Sequence, residues 1–154
     1  GVAYIERPAG EVDLVIIDST DPVGPAVGLF QREFDGKVAA ALKPGGVMVA
    51  QTESPHWGAN LVGPIYDEIR AAFTHVHAYV GFIPTYPSGM WCWAYASNDR
   101  TPATDFDHER ARSISEHCRY YNPAIQSAAF ALPTFAAKAV GGENVFERFD
   151  ASSR

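Results

Sequence analysis

Cysteine is scarce in this sequence, and long apolar runs are missing from it. With only Cys92 and Cys118 among 154 residues, no disulfide framework is expected, and a reducing compartment, the cytoplasm, fits. No stretch approaches the roughly 20 apolar residues a membrane span needs, and no secretory pattern opens the chain. Its first residues, Gly1-Val2-Ala3-Tyr4-Ile5, read as the middle of a domain rather than a start. Positive charge is in deficit. The formal net charge of −6 makes a phosphate backbone an unfavourable partner, so no nucleic acid is expected, and without an apolar span no membrane is expected either. Metal-ligand spacing is missing too. His56, His75, His77, His108 and His117 do not form a convincing metal set; His75 and His77 share a strand face, but no Cys or carboxylate stands at ligand spacing near them, so no metal is expected. There is no Gly-x-Ser-x-Gly elbow, no paired CxxC, and no Gly-rich strand-to-helix turn of the kind that cradles a nucleoside.

What is present is the composition of one globular domain: 47% hydrophobic and 19% charged residues exclude disorder. The acidic balance suits a cationic substrate. Val12 to Ile17 (VDLVII) is the apolar run of a strand covered on both faces. Phe30, Phe34, Val38 and Leu42 then mark one face of a helix, and Lys43-Pro44-Gly45-Gly46 reads as its stop. Val47 to Ala50 is a second buried strand leading to Gln51, Thr52 and Glu53, and a helix is expected from Asn60 to Phe73. Strand, helix, strand, helix implies a parallel pair.

The period then changes to two. Val76, Ala78, Val80 and Phe82 alternate with His75, His77, Tyr79 and Gly81, and Met90 to Tyr95 forms a second strand after a proline-braced turn. The two should pair antiparallel. Trp91 and Trp93 read as core. A short helix is expected around Glu109 to Cys118, another behind an Asn122-Pro123 cap, and Pro133 ends or kinks that one before Phe135 to Val140. The expected architecture is α/β, with parallel strands, a terminal antiparallel hairpin and C-terminal helices; by fold analogy alone it resembles the second half of the Rossmann-like sheet of adenosylmethionine-dependent transferases.

In open α/β sheets ligands bind beyond the carboxyl ends of the strands. Asp18 stands at such an end, followed by Ser19-Thr20-Asp21-Pro22-Val23-Gly24-Pro25. Two carboxylates three residues apart on a proline-stiffened loop can converge on one cation; either could equally cap the next turn. Gln51 and Glu53 end the neighbouring strand, and their spacing of two puts both on one face. Tyr86 sits in the rigid turn Ile83 to Gly89.

These stretches also carry a resemblance. Asp18 to Ala26, DSTDPVGPA, resembles the DSSDPxGPA signature of spermidine synthases, the polyamine aminopropyltransferases, and IPTYPSG at 83–89 resembles their second signature. LKPGG at 42–46, QTESP at 51–55 and YYNPAIQSAAFALP at 120–133 follow in the family's order. The resemblance covers almost the whole chain. It implies the C-terminal catalytic portion, residues 1–154, without the family's N-terminal β-domain and nucleoside loop; such an isolated chain would be inactive. Asp18 would be the general base. Ser19, Thr20, Asp21, Gln51, Glu53 and Tyr86 would surround the amine. Pro25 would line the wall near the thioether nucleoside, and Gly1 would be the second member of an Asp-Gly pair on adenine.

The implied reaction moves an aminopropyl group from decarboxylated S-adenosylmethionine, a cosubstrate, to putrescine, with no cofactor. The implied partners are a small polyamine and, at full length, further copies of the chain as a dimer or tetramer. Two rivals stay open: a putrescine N-methyltransferase, and a non-catalytic fragment or partner subunit. The sequence departs from the family at Thr52, where Gly is common, at Ser54-Pro55-His56-Trp57-Gly58, and after Gly89. These departures bear on acceptor length more than on reaction type.

Overall fold

A computed structural model describes residues 2–6, 9–19 and 28–141. In chain order the elements are α1 (Val2–Ile5), β1 (Val12–Ile17), α2 (Arg32–Ala41), β2 (Leu42–Gln51), α3 (Ala59–Ala72), β3 (His75–Phe82), β4 (Met90–Ser97), α4 (His108–Ser115), α5 (Pro123–Ala129) and α6 (Thr134–Val140). The strands form one sheet in the order β1-β2-β4-β3. β1 and β2 are parallel, and β4 runs antiparallel to both β2 and β3. The expected α/β architecture is therefore present, with the hairpin folded back so that its second strand joins the parallel pair.

Cross-strand partners share a face, and the register divides the sheet cleanly. One face carries Met48, Ala50, Ala78, Cys92, Ala94 and Ala96, all buried. These mostly small residues let Val62, Ile65, Tyr66 and Ile69 of α3 and Phe34 and Val38 of α2 pack into one core. Burial also pushes the Cys92 thiol up to about 12, so that cysteine is an inert core residue. The opposite face carries Ile16, Val49, Gln51, Trp93 and Tyr79, and it is largely uncovered toward β1.

Two expectations change here. VDLVII is not covered on both faces: Leu14 is 52% and Ile16 68% exposed, because the α2–α3 layer packs on one side and α5 on the other reaches only the hairpin side, against β3. Nor does LKPGG stop a helix. α2 ends at Ala41, and Leu42 already pairs with Val12. The ladder resumes at Leu14 with Val47, so Lys43 to Gly46 bulge out opposite Asp13 alone, with Gly45 at φ 74° supplying the bend. Phe82, on the same side of its strand as Ala78 and Val80, is 67% exposed at the strand's end.

The C-terminal helices follow their local chemistry. Asn122 Oδ1 accepts from Ile125 N at 2.9 Å with Pro123 in the first turn, and Pro133 precedes Thr134–Val140. Helix and hairpin are tied by Tyr66, wholly buried on α3. Its hydroxyl donates to the Trp93 carbonyl at 2.8 Å and is the partner of Thr52 Oγ1 at 3.3 Å. Tyr66→Phe leaves both oxygens without this partner in the core. Unfolding in urea should show a loss of about 1–3 kcal/mol; an unchanged midpoint would deny the tie.

Candidate functional site

An open cleft of about 1160 Å³ lies over the uncovered sheet face, where β1 and β2 end and the β3–β4 turn begins. Asp18 and Ser19 follow β1 directly, and Asp18 is exposed at the cleft. Gln51 ends β2. Its side chain is buried and fully engaged: Nε2 donates to the Ser19 carbonyl at 3.1 Å, while Oε1 accepts from Trp91 Nε1 at 2.6 Å and from Glu53 N at 2.9 Å. One amide thus fixes the backbone after Asp18, the indole of Trp91 and the turn into Glu53. Gln51 orders the site as much as it lines it.

Glu53 lies on the same cleft, though not through strand alternation. The strand is over, and Glu53 takes φ 88°, a left-handed conformation that costs about 1 kcal/mol outside glycine. It is held there on three sides. Glu53 N bonds Gln51, Glu53 O accepts from Cys92 N at 3.0 Å, and Oε1 accepts from Ser54 N at 2.9 Å.

The turn carrying Tyr86 is as rigid as its prolines suggest. Ile83 N donates to Gly89 O, Tyr86 N to Ile83 O, and Gly89 N to Tyr86 O, all within 3.1 Å, with Gly89 at φ 63°. The Tyr86 ring is half exposed and leans on Trp91, centroids 4.6 Å apart. Thr20, Asp21 and Pro25, together with Gly1, lie outside the described residues.

Trp91 and Trp93 prove to be walls of the cleft, not core. Tyr79 stacks on Trp93 at 5.6 Å, and burial raises its hydroxyl to about 12, so it stays protonated at neutral pH. These three and Trp57 are what the sequence reading missed. The signal for Trp91 and Trp93 was available in principle, since they share Gln51's face, but only once the register of β4 against β2 is known. Asp18 and Glu53 are the charged residues among the described lining, and no Lys, Arg or His joins them. Among the described residues no three His, Cys, Asp or Glu are grouped to hold a metal. Such a cleft can receive an organic cation with an apolar middle: carboxylates for the charge, aromatic walls for the carbon.

Fold and cleft together define a Rossmann-like α/β domain with an acidic, aromatic-walled cleft at its strand ends. The chain belongs to the spermine/spermidine synthase family: the spermine/spermidine synthase domain matches residues 1–108. It is 42% identical over 140 residues to a polyamine aminopropyltransferase of Caldicellulosiruptor saccharolyticus, covering 91% of this chain and 49% of that one. The crystal structure of a spermidine synthase in complex with the transition state analogue AdoDATO superposes with a TM-score of 0.85 at 40% identity, over 91% of this chain and 48% of the other. Spermidine synthase from Thermotoga maritima gives 0.82 at 39%, over 91% and 47%. The chain thus spans about half the length of the relatives it matches. No helix among the described residues is long and apolar enough to cross a membrane.

Proposed function

We propose that this chain is the amine-binding half of a polyamine aminopropyltransferase, which in the whole protein transfers the aminopropyl group of decarboxylated S-adenosylmethionine to putrescine. The observation that carries the reading is the cleft itself, whose described lining has two carboxylates, no cationic side chain and an aromatic wall. An alkyl amine with a pKa of about 10.4 arrives protonated and cannot attack carbon. Asp18 steadies that cation and takes the proton the nitrogen must shed. The nitrogen lone pair then forms the new C–N bond to the methylene beside the sulfonium, the C–S bond breaks, and its electron pair leaves on sulfur as a neutral thioether. The sulfonium supplies the activation, so the reading asks for no cofactor. Glu53 and Tyr86, with Asp21 and Thr20, are assigned to the amine, and Pro25 and Gly1 to the nucleoside. Gln51 and Ser19 hold Asp18 and Trp91 in place, and alignment of amine and carbon supplies much of the rate.

The same reading gives the rest of the protein the nucleoside cradle, absent from this sequence, and the cover for Leu14 and Ile16. Further copies of the chain are assigned as partners at full length. A cytoplasmic location goes with it, consistent with free Cys92 and Cys118. The test is a product assay on the chain extended through its natural sequence, with putrescine offered each of decarboxylated and intact adenosylmethionine. Spermidine from the first donor is expected. N-methylputrescine from the second, or no product from either, overturns the assignment.

A further inference from the structure

Trp57 is the most exposed large apolar side chain among the described residues, at 71%, and its exposure is imposed rather than slack. Ser54 Oγ accepts from His56 N at 3.3 Å and from Trp57 N at 3.4 Å, and Gly58 N donates to Ser54 O at 2.8 Å. Ser54 and Pro55 beneath are fully buried. The turn is therefore anchored in the core while the indole stands out at the cleft it lines. His56 braces the ring edge-on at 5.1 Å and itself packs on Phe135. The Glu53 side chain lies folded against this same turn: a Cβ added at Gly58 would stand 2.3 Å from Glu53 Cγ. The Glu53 side chain thus lies against the turn that carries the indole, both residues line the cleft, and Gly58, at the point of contact, must lack a side chain.

Building on the amine-binding reading, we propose that Trp57 sets acceptor specificity. Its indole is the outer lip of the cleft and holds, beside Glu53, the ammonium farthest from the reacting nitrogen by a cation–π contact. The chain then selects amines charged at both ends over monoamines of equal length.

The test uses the full-length protein with decarboxylated adenosylmethionine, comparing wild type, Trp57→Leu and Trp57→Phe on putrescine and on n-butylamine. Trp57→Leu should raise KM for putrescine about tenfold, leave kcat within about twofold and spare butylamine; Trp57→Phe should recover most of the loss. Equal losses on both amines, a loss confined to kcat, or no loss overturns the proposal. Should the wild type transfer no aminopropyl group, calorimetric titration of putrescine into wild type and Trp57→Leu decides separately. Weaker binding to the variant keeps the lip while the reaction assignment falls. Equal binding, or none, removes the lip.

Discussion

Asp18→Asn in the full-length protein is expected to lower turnover by roughly 10²- to 10⁴-fold, the usual contribution of a positioned general base, while the fold survives. The fold should survive because Asp18 is exposed, and no described residue hydrogen-bonds to its carboxylate. What anchors this corner is the neighbouring backbone, through the Gln51 amide on the Ser19 carbonyl. Asparagine keeps the size and one acceptor oxygen but can neither neutralise an ammonium nor take its proton. Losses in kcat should therefore exceed the change in KM, and raising the pH should recover part of the rate by supplying free amine. The checks are kcat and KM for putrescine across pH 7–10, with circular dichroism and an unfolding midpoint on the same samples. Turnover within about threefold of wild type would remove the base assignment. A collapsed midpoint would show that Asp18 serves the fold instead.

How much of this was legible in the residues depends on how local the governing physics is. The Asn122 cap, the hairpin and the prolines around Tyr86 are set by neighbours in sequence, and the structure has all three as expected. Asp18 and Gln51 at adjacent strand ends follow from the parallel pairing of β1 with β2. Which sheet face is covered is not local. Alternation in Met90 to Tyr95 says that Trp91 and Trp93 lie opposite Cys92 and Ala94, but not which set meets α3. The apolar character of tryptophan suggested core, yet helix α3 selects the smaller set, because Tyr66 and Ile65 need the room. The same limit explains VDLVII: apolar residues on both faces announce a covered strand, yet the described residues leave Leu14 and Ile16 more than half exposed. Lys43 to Gly46 mimics a helix stop because glycine and proline serve a bulge equally well.

The second large effect concerns Asp35, a residue that reads as ordinary polar surface on an amphipathic helix. It is 3% exposed on α2, and its Oδ2 has no hydrogen-bond partner among the described residues. Around it, Ile17, Ala50, Gln51, Ile65 and Ile69 close a void of about 10 Å³, at the lower limit for one water molecule. Burial, and then the charge of Glu68 on α3, push its carboxyl up to about 7; Glu68 itself is engaged by the backbone N–H and guanidinium of Arg32. The sign follows directly. Unfolded, the group ionises near pH 3.9; folded, it keeps its proton to about pH 7. Its contribution is fully present below the lower value and drains away as pH rises through the higher one, by up to about 1.4 kcal/mol per pH unit. Asp35→Asn cannot ionise. Between pH 4.5 and 8 its stability relative to wild type should therefore improve by about 2–4 kcal/mol, read from urea midpoints and slopes at each pH. Parallel profiles would mean that the native carboxyl ionises as freely as in the unfolded chain. Gln51 lines the same void and holds Ser19 and Trp91, so a charge on Asp35 would stand beside the side chain that orders the cleft. The variant should consequently keep its putrescine affinity at alkaline pH better than wild type does, even though Asp35 never touches the amine.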